Sequence, residues 1–423
     1  MNYKKSVLES GITVLSVELP NLESATLTVW VGVGSRFEND KIAGLSHFLE
    51  HMSFKGSKKY PSAKIVSETI DAMGAVSNAG TAREWTNFYI KTRTGNIEKA
   101  FDIISDMLRN PFFKDSDIER ERSVILEEIA MYEDTPIEKI GENFAKVMFG
   151  DTPLGRDIAG TVKSVKNIKK KDFVNYQGKH YCGRNLVITV SGGISDDKVS
   201  GFSEKYFGKI KAGEEEKPKM LRNTAKWPRV DIEYRKSEQA HFIIGFLGYP
   251  YDHQFRFPES LLSTILGSGR SSRLFEEVRE KRGLAYAVST SISRYVDTGV
   301  FATYAGVSPS NIEEAVKIIV DEHYKIKEKT RKITKKELNK AKDYMKGRLA
   351  LALENTASVN SFFGRRALLH KEVETPEEVF KKVDEVGVDG IYEVAKDLFK
   401  PGKLGLAIIG PYNNKEKFKK LVS

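Results

Sequence analysis

Over residues 24–34, Leu27, Val29, Val31 and Val33 fall on every second position, the period of a β-strand. A shorter apolar run at 11–19 predicts a strand ahead of it. From residue 42 the period lengthens. Leu45, Phe48, Leu49 and Met52 recur at helical spacing over 42–54, with Asp40 placed to cap this helix and Gly56 to stop it. Further helices are predicted over 62–73, 97–108 and 115–133, the last stopped near Pro136, with a Gly- and Ala-rich strand region at 74–92 among them. A strand at 185–191 closes this half of the chain.

The pattern then repeats. Asn96-Ile97-Glu98-Lys99-Ala100 is echoed by Asn311-Ile312-Glu313-Glu314-Ala315, an offset of 311 − 96 = 215 residues. In each half a long charged helix follows, at 115–133 and 334–353, and each half ends in an apolar strand beside glycine, at 187–193 and 404–410. Duplication of one α+β unit, a mostly antiparallel sheet packed with helices, explains the shared order. The polar, charged stretch 212–228 contains Pro218 and ends at Pro228, as linkers do. The expected division is therefore a domain at 1–211, a linker at 212–228 and a homologous domain at 229–423.

Composition narrows the setting. With 40% hydrophobic and 30% charged residues in 423, the chain has the makings of folded, soluble domains, not of a disordered or fibrous protein. Cys182 is the single cysteine, so no intrachain disulfide forms and a reducing compartment is favoured. Residues 1–11 lack the apolar core of a secretion signal, and no run approaches a membrane span. A cytoplasmic protein with no membrane partner is expected. The 68 Lys and Arg outnumber the 58 Asp and Glu, but the excess is diffuse: residues 322–346 mix both signs, and Lys169-Lys170-Lys171 has no interleaved aromatics. Nucleic acid is therefore not the expected partner. Gly267-Ser268-Gly269-Arg270-Ser271-Ser272 lacks the Lys-Ser/Thr ending of a phosphate loop.

The candidate chemistry sits on the helix at 42–54. His47-Phe48-Leu49-Glu50-His51 places two imidazoles four residues apart on one helix face, with Glu50 on the adjoining side, while the apolar stripe turns toward the core. This is the H-x-x-E-H arrangement in which two histidines hold zinc and the glutamate acts as general base. Catalytic zinc needs a third protein ligand. The helix at 115–133 offers Glu119, Glu121, Glu127, Glu128 and Glu133; Glu121 and Glu128 share a face beside Val124 and Ile125, which would hold that face against the protein. Periodicity does not choose between Glu127 and Glu128. The second half has no matching H-x-x-E-H, and His241 and His253 read as structural.

The stretch from Gly44 through His47, Glu50 and His51 to Ser57 resembles the signature helix of the pitrilysin/insulinase metallopeptidases, and the chain is similar in length to the half-length members such as the catalytic subunit of the mitochondrial processing peptidase. The resemblance implies a third zinc ligand 77 positions after the second histidine, which is Glu128 (128 − 51 = 77), and a supporting glutamate at Glu121. It further implies that Asn78 and Ala79, ahead of Glu84-Trp85-Thr86-Asn87, flank a peptide that adds to a sheet edge. In the second half, Arg279 and Tyr286 match the family's arginine–tyrosine pair, which faces the zinc site and binds the substrate carbonyl. One zinc ion per chain is implied, with short or unfolded peptides as substrates in an enclosed chamber and a homodimer, or a heterodimer with a homologous chain, as the assembly. The family also contains non-catalytic scaffold and partner subunits, but those have degraded zinc motifs.

Overall fold

The computed structural model describes residues 1–221, 229–400 and 403–422, so the 222–228 part of the expected linker lies outside the described residues. The chain forms two compact units. One comprises Met1–Ala130, Arg156–Lys219 and Ala350–Glu377; the other comprises Met131–Gly155, Met220–Leu349 and Glu378–Ser423.

The first unit is built on six strands, β1 (Lys4–Val7), β2 (Thr13–Glu18), β3 (Ser24–Val31), β4 (Val76–Thr81), β5 (Thr86–Arg93) and β6 (Leu186–Gly192). Their order is β1-β2-β6-β3-β5-β4, antiparallel at every pairing except β2 with β6. The helices relevant to the site are α1 (Leu45–Ser53), α2 (Ala63–Ala72), α3 (Ile97–Arg109) and α4 (Asp115–Asp134). Leu45, Phe48, Leu49 and Met52 of α1 are all buried in the same core as Leu27, Val29 and Val31 of β3, each such side chain contributing about 1.5–3 kcal/mol.

The alternation of β3 by itself signals a strand with one wet face, yet its residues from Ala25 to Val31 are all buried. The second face is covered by the helix Thr356–Leu369, which belongs to the other half of the sequence. Polar groups anchor it. Asn360 Nδ2 donates to Thr26 O (2.7 Å), Thr189 O (3.0 Å) and Thr28 Oγ1 (3.1 Å), and the Thr356 and Thr26 hydroxyls are 2.8 Å apart. Gly364 lets the helix approach: a Cβ there would stand 2.1 Å from Trp30 Nε1.

The second unit has strands β7 (Arg229–Tyr234), β8 (Ala240–Gly248), β9 (Ala285–Arg294), β10 (Gly299–Val307) and β11 (Gly405–Gly410), ordered β7-β11-β8-β10-β9 with only β7 and β11 parallel. With β1 removed, the first sheet reads the same, strand for strand and direction for direction. The fold is thus α+β with two homologous domains. The covering helix is here α5 (Pro136–Phe149), whose Ile140, Phe144 and Met148 pack with Val300, Ala407 and Ile409. Since 356 − 136 = 220, the two covering helices occupy equivalent places in the repeat, and each packs on the sheet of the other half. The sequential division into 1–211 and 229–423 misses this exchange, because hydrophobic spacing shows that a helix has an apolar face and not which sheet receives it.

Asn360→Ala would leave two carbonyls and a hydroxyl buried without their shared donor. A loss of about 2–3 kcal/mol is expected, read as a lower denaturation midpoint by circular dichroism; a change below about 0.5 kcal/mol would show that apolar packing alone seats the helix.

Candidate metal centre

α1 begins at a sharp turn. Gly44 precedes it with φ 92°, and a Cβ at this position would lie 2.4 Å from Ala159 O, so both the backbone conformation and the close approach require glycine. The cap differs from the expected Asp40, which instead pairs with Arg156 at 2.9 Å. Glu38 takes the role: its Oε2 accepts from Gly44 N (2.7 Å) and its Oε1 from Ser46 N (2.6 Å). Burial pushes the Glu38 carboxyl up to about 7, against the pull of these amides.

Packed through its apolar stripe, α1 turns His47 and His51 to the opposite side, where α4 supplies Glu128. The imidazole Nε2 atoms are 3.2 Å apart, and Glu128 Oε2 lies 3.6 Å from that of His47 and 3.8 Å from that of His51. Ligands at zinc distances of about 2.0–2.2 Å in a tetrahedron are separated by roughly 3.3–3.6 Å, so the three residues fit one zinc ion. Glu127, on the neighbouring position, is exposed. Of Val124 and Ile125, both expected to press α4 against the protein, Ile125 is buried at 0% and does so, while Val124 is 44% exposed.

The surroundings hold the ligands in usable form. His51 Nδ1 meets Glu121 Oε1 at 2.8 Å, which requires the proton on Nδ1 and frees Nε2 for a metal. The other Glu121 oxygen is 2.5 Å from Lys55 Nζ. Burial would raise the Glu121 carboxyl, but its bonds to His51 and Lys55 hold it below the usual range. Burial, aided by His51, pushes His47 down to about 4, so it is neutral near pH 7 and available as a ligand. At His51 burial favours the neutral ring, but Glu121, Glu50 and Glu128 outweigh it and its pKa is raised. Two cationic rings cannot share this spacing. Three carboxylates, Glu50, Glu121 and Glu128, surround the imidazoles, and Lys55 pairs with one of them, a charge balance suited to a cation.

Glu50 flanks the cluster. Its Oε2 accepts from Thr81 Oγ1 at 2.5 Å, and burial raises its pKa despite that bond. The resemblance put Thr81 in the strand segment beside a bound peptide and Lys55 in the signature stretch, but that Thr81 meets Glu50 and Lys55 meets Glu121 is decided only by the tertiary fold. Asn78 and Ala79 lie on β4, which among the described residues is the last strand of its sheet and pairs only with β5; Asn78 Oδ1 accepts from Ala79 N–H at 2.9 Å. Arg279 and Tyr286 belong to the second unit. There the Arg279 guanidinium, in the π-helical turn Phe275–Glu280, stands over the rings of Phe275 (4.9 Å) and Tyr286 (5.6 Å), and Tyr286 on β9 is 75% exposed.

Residues 13–162 match the family model described as insulinase (peptidase family M16), and residues 167–345 match one described as the peptidase M16 inactive domain. A Streptomyces coelicolor protein named an uncharacterized zinc protease is 36% identical over 98% of this chain and 90% of its own length. Among solved structures, a protease from Helicobacter pylori superposes with a TM-score of 0.91 at 24% identity, covering 97% of this chain and 99% of that one. A chain of complex III2 from Candida albicans gives 0.84 at 19% identity, with each chain covered completely. These two likenesses concern the fold. No helix among the described residues is long and apolar enough to cross a membrane.

Glu121→Gln keeps an acceptor beside His51 but removes the charge. Zinc affinity, measured by competition with a chromophoric chelator, should fall about 10–100-fold; an unchanged affinity would mean that packing alone orients His51.

Proposed function

The chain belongs to the insulinase (M16) family of peptidases, and on that premise we propose that it is a zinc-dependent endopeptidase acting on short or unfolded peptides, with one ion per chain. The observation that carries this reading is the meeting of His47, His51 and Glu128 donor atoms within 4.8 Å of one another, with Glu50 beside them on α1. Zinc held by these residues supplies Lewis acidity that polarises a peptide carbonyl and makes water acidic near neutral pH.

The chain's own groups do the rest. Glu50 accepts a proton from the attacking water as oxygen adds to the carbonyl carbon, then delivers it to the amine nitrogen as the C–N bond breaks. Its raised pKa brings it closer to the operating pH, and the Thr81 hydroxyl fixes one carboxylate oxygen so that the other faces the water. Glu121 and Lys55 keep His51 in its ligating tautomer. The free edge of β4 suits an extended peptide, which would pair with it near Asn78 and Ala79. Arg279 and Tyr286, already in mutual contact, would stabilise the oxyanion. We assign them to the site of a partner chain in a C2 homodimer, because one polypeptide carries both the metal residues and this pair. The lone Cys182 suits a reducing compartment such as the cytoplasm.

A scaffold or partner-subunit role is the competing reading, and the inactive-domain description of residues 167–345 and the complex III chain give it substance. The metal residues, however, all lie within 13–162, where the peptidase model matches, and a scaffold has no chemical use for Glu50 beside them.

Wild-type protein should cleave a mixed peptide library, as read by mass spectrometry, and stop when zinc is chelated. Glu50→Gln should lose about 10²–10⁴-fold in turnover while binding zinc at unchanged stoichiometry; equal cleavage by both would remove Glu50 from its role. For the shared site, Arg279→Ala and Glu50→Gln chains, each nearly inactive, should regain activity when mixed under conditions of subunit exchange. No recovery despite proven exchange would place the pair in cis.

A further inference from the structure

The turn of the second unit that carries Arg279 is tied down by a carboxylate with no part in the chemistry described above. Phe275–Glu280 is a π-helical turn, closed by Lys281 N donating five residues back to Glu276 O at 2.9 Å. Turns of this kind are rare and recur at functional sites. Glu277, two residues before Arg279, points inward and is 9% exposed, while Arg279 is on the outside. Glu277 gathers both limbs of the turn. Its Oε1 meets Lys281 Nζ at 2.9 Å and its Oε2 meets Arg282 Nη1 at 2.6 Å, and the same Nη1 donates to Glu277 O at 2.8 Å. Arg282 and Lys281 hold its carboxyl down at about 2, the mark of a carboxylate whose ionised form is bonded in place.

The backbone closes the same loop. Gly283 N donates to Arg279 O (3.0 Å) and Leu284 N to Val278 O (2.9 Å), and the chain then enters β9, where the Tyr286 ring meets the Arg279 guanidinium. Arg279 and Tyr286 therefore stand on the two limbs that Glu277 draws together. The clamp is anchored outside the turn as well. Arg331 Nη1 bridges Glu277 Oε1 (3.0 Å) and Glu322 Oε2 (2.9 Å), and Glu322, on the helix Ile312–Lys327, is 2% exposed. Residue 331 is itself fixed: Arg273, 5% exposed, donates to Arg331 O (3.2 Å) and Lys332 O (3.1 Å) and forks onto the two Glu337 oxygens at 2.7 and 2.8 Å. Arg279 has no ion pair among the described residues, only the faces of Phe275 and Tyr286.

We propose that Glu277 is the positioning residue of Arg279: bonded to Lys281 and Arg282 and joined through Arg331 to Glu322, it holds the two limbs so that the guanidinium stacks on Tyr286. Ring contacts at an exposed site only roughly offset the rotamer freedom that an arginine loses in one pose, so the pose depends on how firmly both limbs are held. Charge-assisted bonds to a buried carboxylate hold them more firmly than the rings do. The catalytic consequence rests on the peptidase reading above; the orientation of Arg279 does not.

Nuclear magnetic resonance of the zinc-loaded, full-length chain with isotope-labelled arginine reads that orientation directly. A guanidinium stacked on aromatic rings gives a signal displaced upfield, assigned to Arg279 by its disappearance in Arg279→Lys. Glu277→Gln keeps the side chain's shape and removes its charge, while Lys281 retains Glu276 (2.9 Å) and Arg331 retains Glu322, so the variant should fold, as its melting temperature will show. Arg331→Ala, which cuts the outer anchor, is the second variant and decides alone if the first does not fold. Each should move the Arg279 signal back toward that of free arginine; a folded variant with the signal still displaced overturns the proposal whether or not the chain cleaves peptides. On the peptide library, Glu277→Gln should lower kcat by roughly 10- to 100-fold at unchanged zinc content and add no further loss in an Arg279→Ala background. Losses that multiply would make Glu277 a support of the fold at large and also overturn the assignment. A wild-type chain that cleaves no peptide contradicts the peptidase reading, and the Arg279 signal then decides this proposal by itself.

Discussion

Three donor atoms can share one ion only if separate helices hold them at about the 3.3–3.6 Å spacing that tetrahedral zinc imposes, and in this chain the burial of one helix face achieves it. Leu45, Phe48, Leu49 and Met52 lock α1 into the core, which leaves His47 and His51 no orientation other than toward α4. Ile125 does the same for α4, one turn from Glu128. The geometry of the site is therefore set by apolar packing several ångströms away from any ligand. Its chemistry is set by what that packing brings into reach: Glu121 for His51, Lys55 for Glu121 and Thr81 for Glu50.

The same core explains why so many charges can be held there. A carboxylate that is largely removed from water costs free energy unless it is paired or hydrogen-bonded. Glu121 meets both needs through His51 and Lys55 and keeps a low pKa; Glu50, with one hydroxyl as its partner, does not, and its pKa rises. Neighbouring carboxylates thus acquire different properties. The first is held ionised beside His51, while the second takes up a proton more readily than an ordinary glutamate.

The reciprocal placement of α5 and the helix Thr356–Leu369 gives the duplication a physical role. Each sheet would otherwise leave a face uncovered, and each is completed by a helix that follows α4 or its repeat counterpart, Lys335–Ala352. Unfolding either half must therefore expose part of the other's core. Gly364 against Trp30 and Gly245 against Phe144 mark two places where these helices approach their sheets too closely for a Cβ.

Much of this was legible in the residues alone. Period-2 and helical spacing located β3 and α1, the repeat announced two similar units, and His47, Glu50 and His51 declared a zinc motif because i and i+4 on a helix share a face whatever the rest of the chain does. Other features have no local signature. Periodicity left Glu127 and Glu128 equivalent and credited Val124 with a burial that belongs to Ile125 alone, since a helix's rotation about its axis is decided by what it packs against. Asp40 had the right residue type for a cap, but the chain's path brings Glu38 to the amides. Which sheet each covering helix joins, and which lysine reaches Glu121, depend on contacts between residues far apart in sequence. The sequence determined the elements and the reactive groups they carry; only the tertiary structure decided their partners, because burial and pairing are properties of the assembled core and not of any segment.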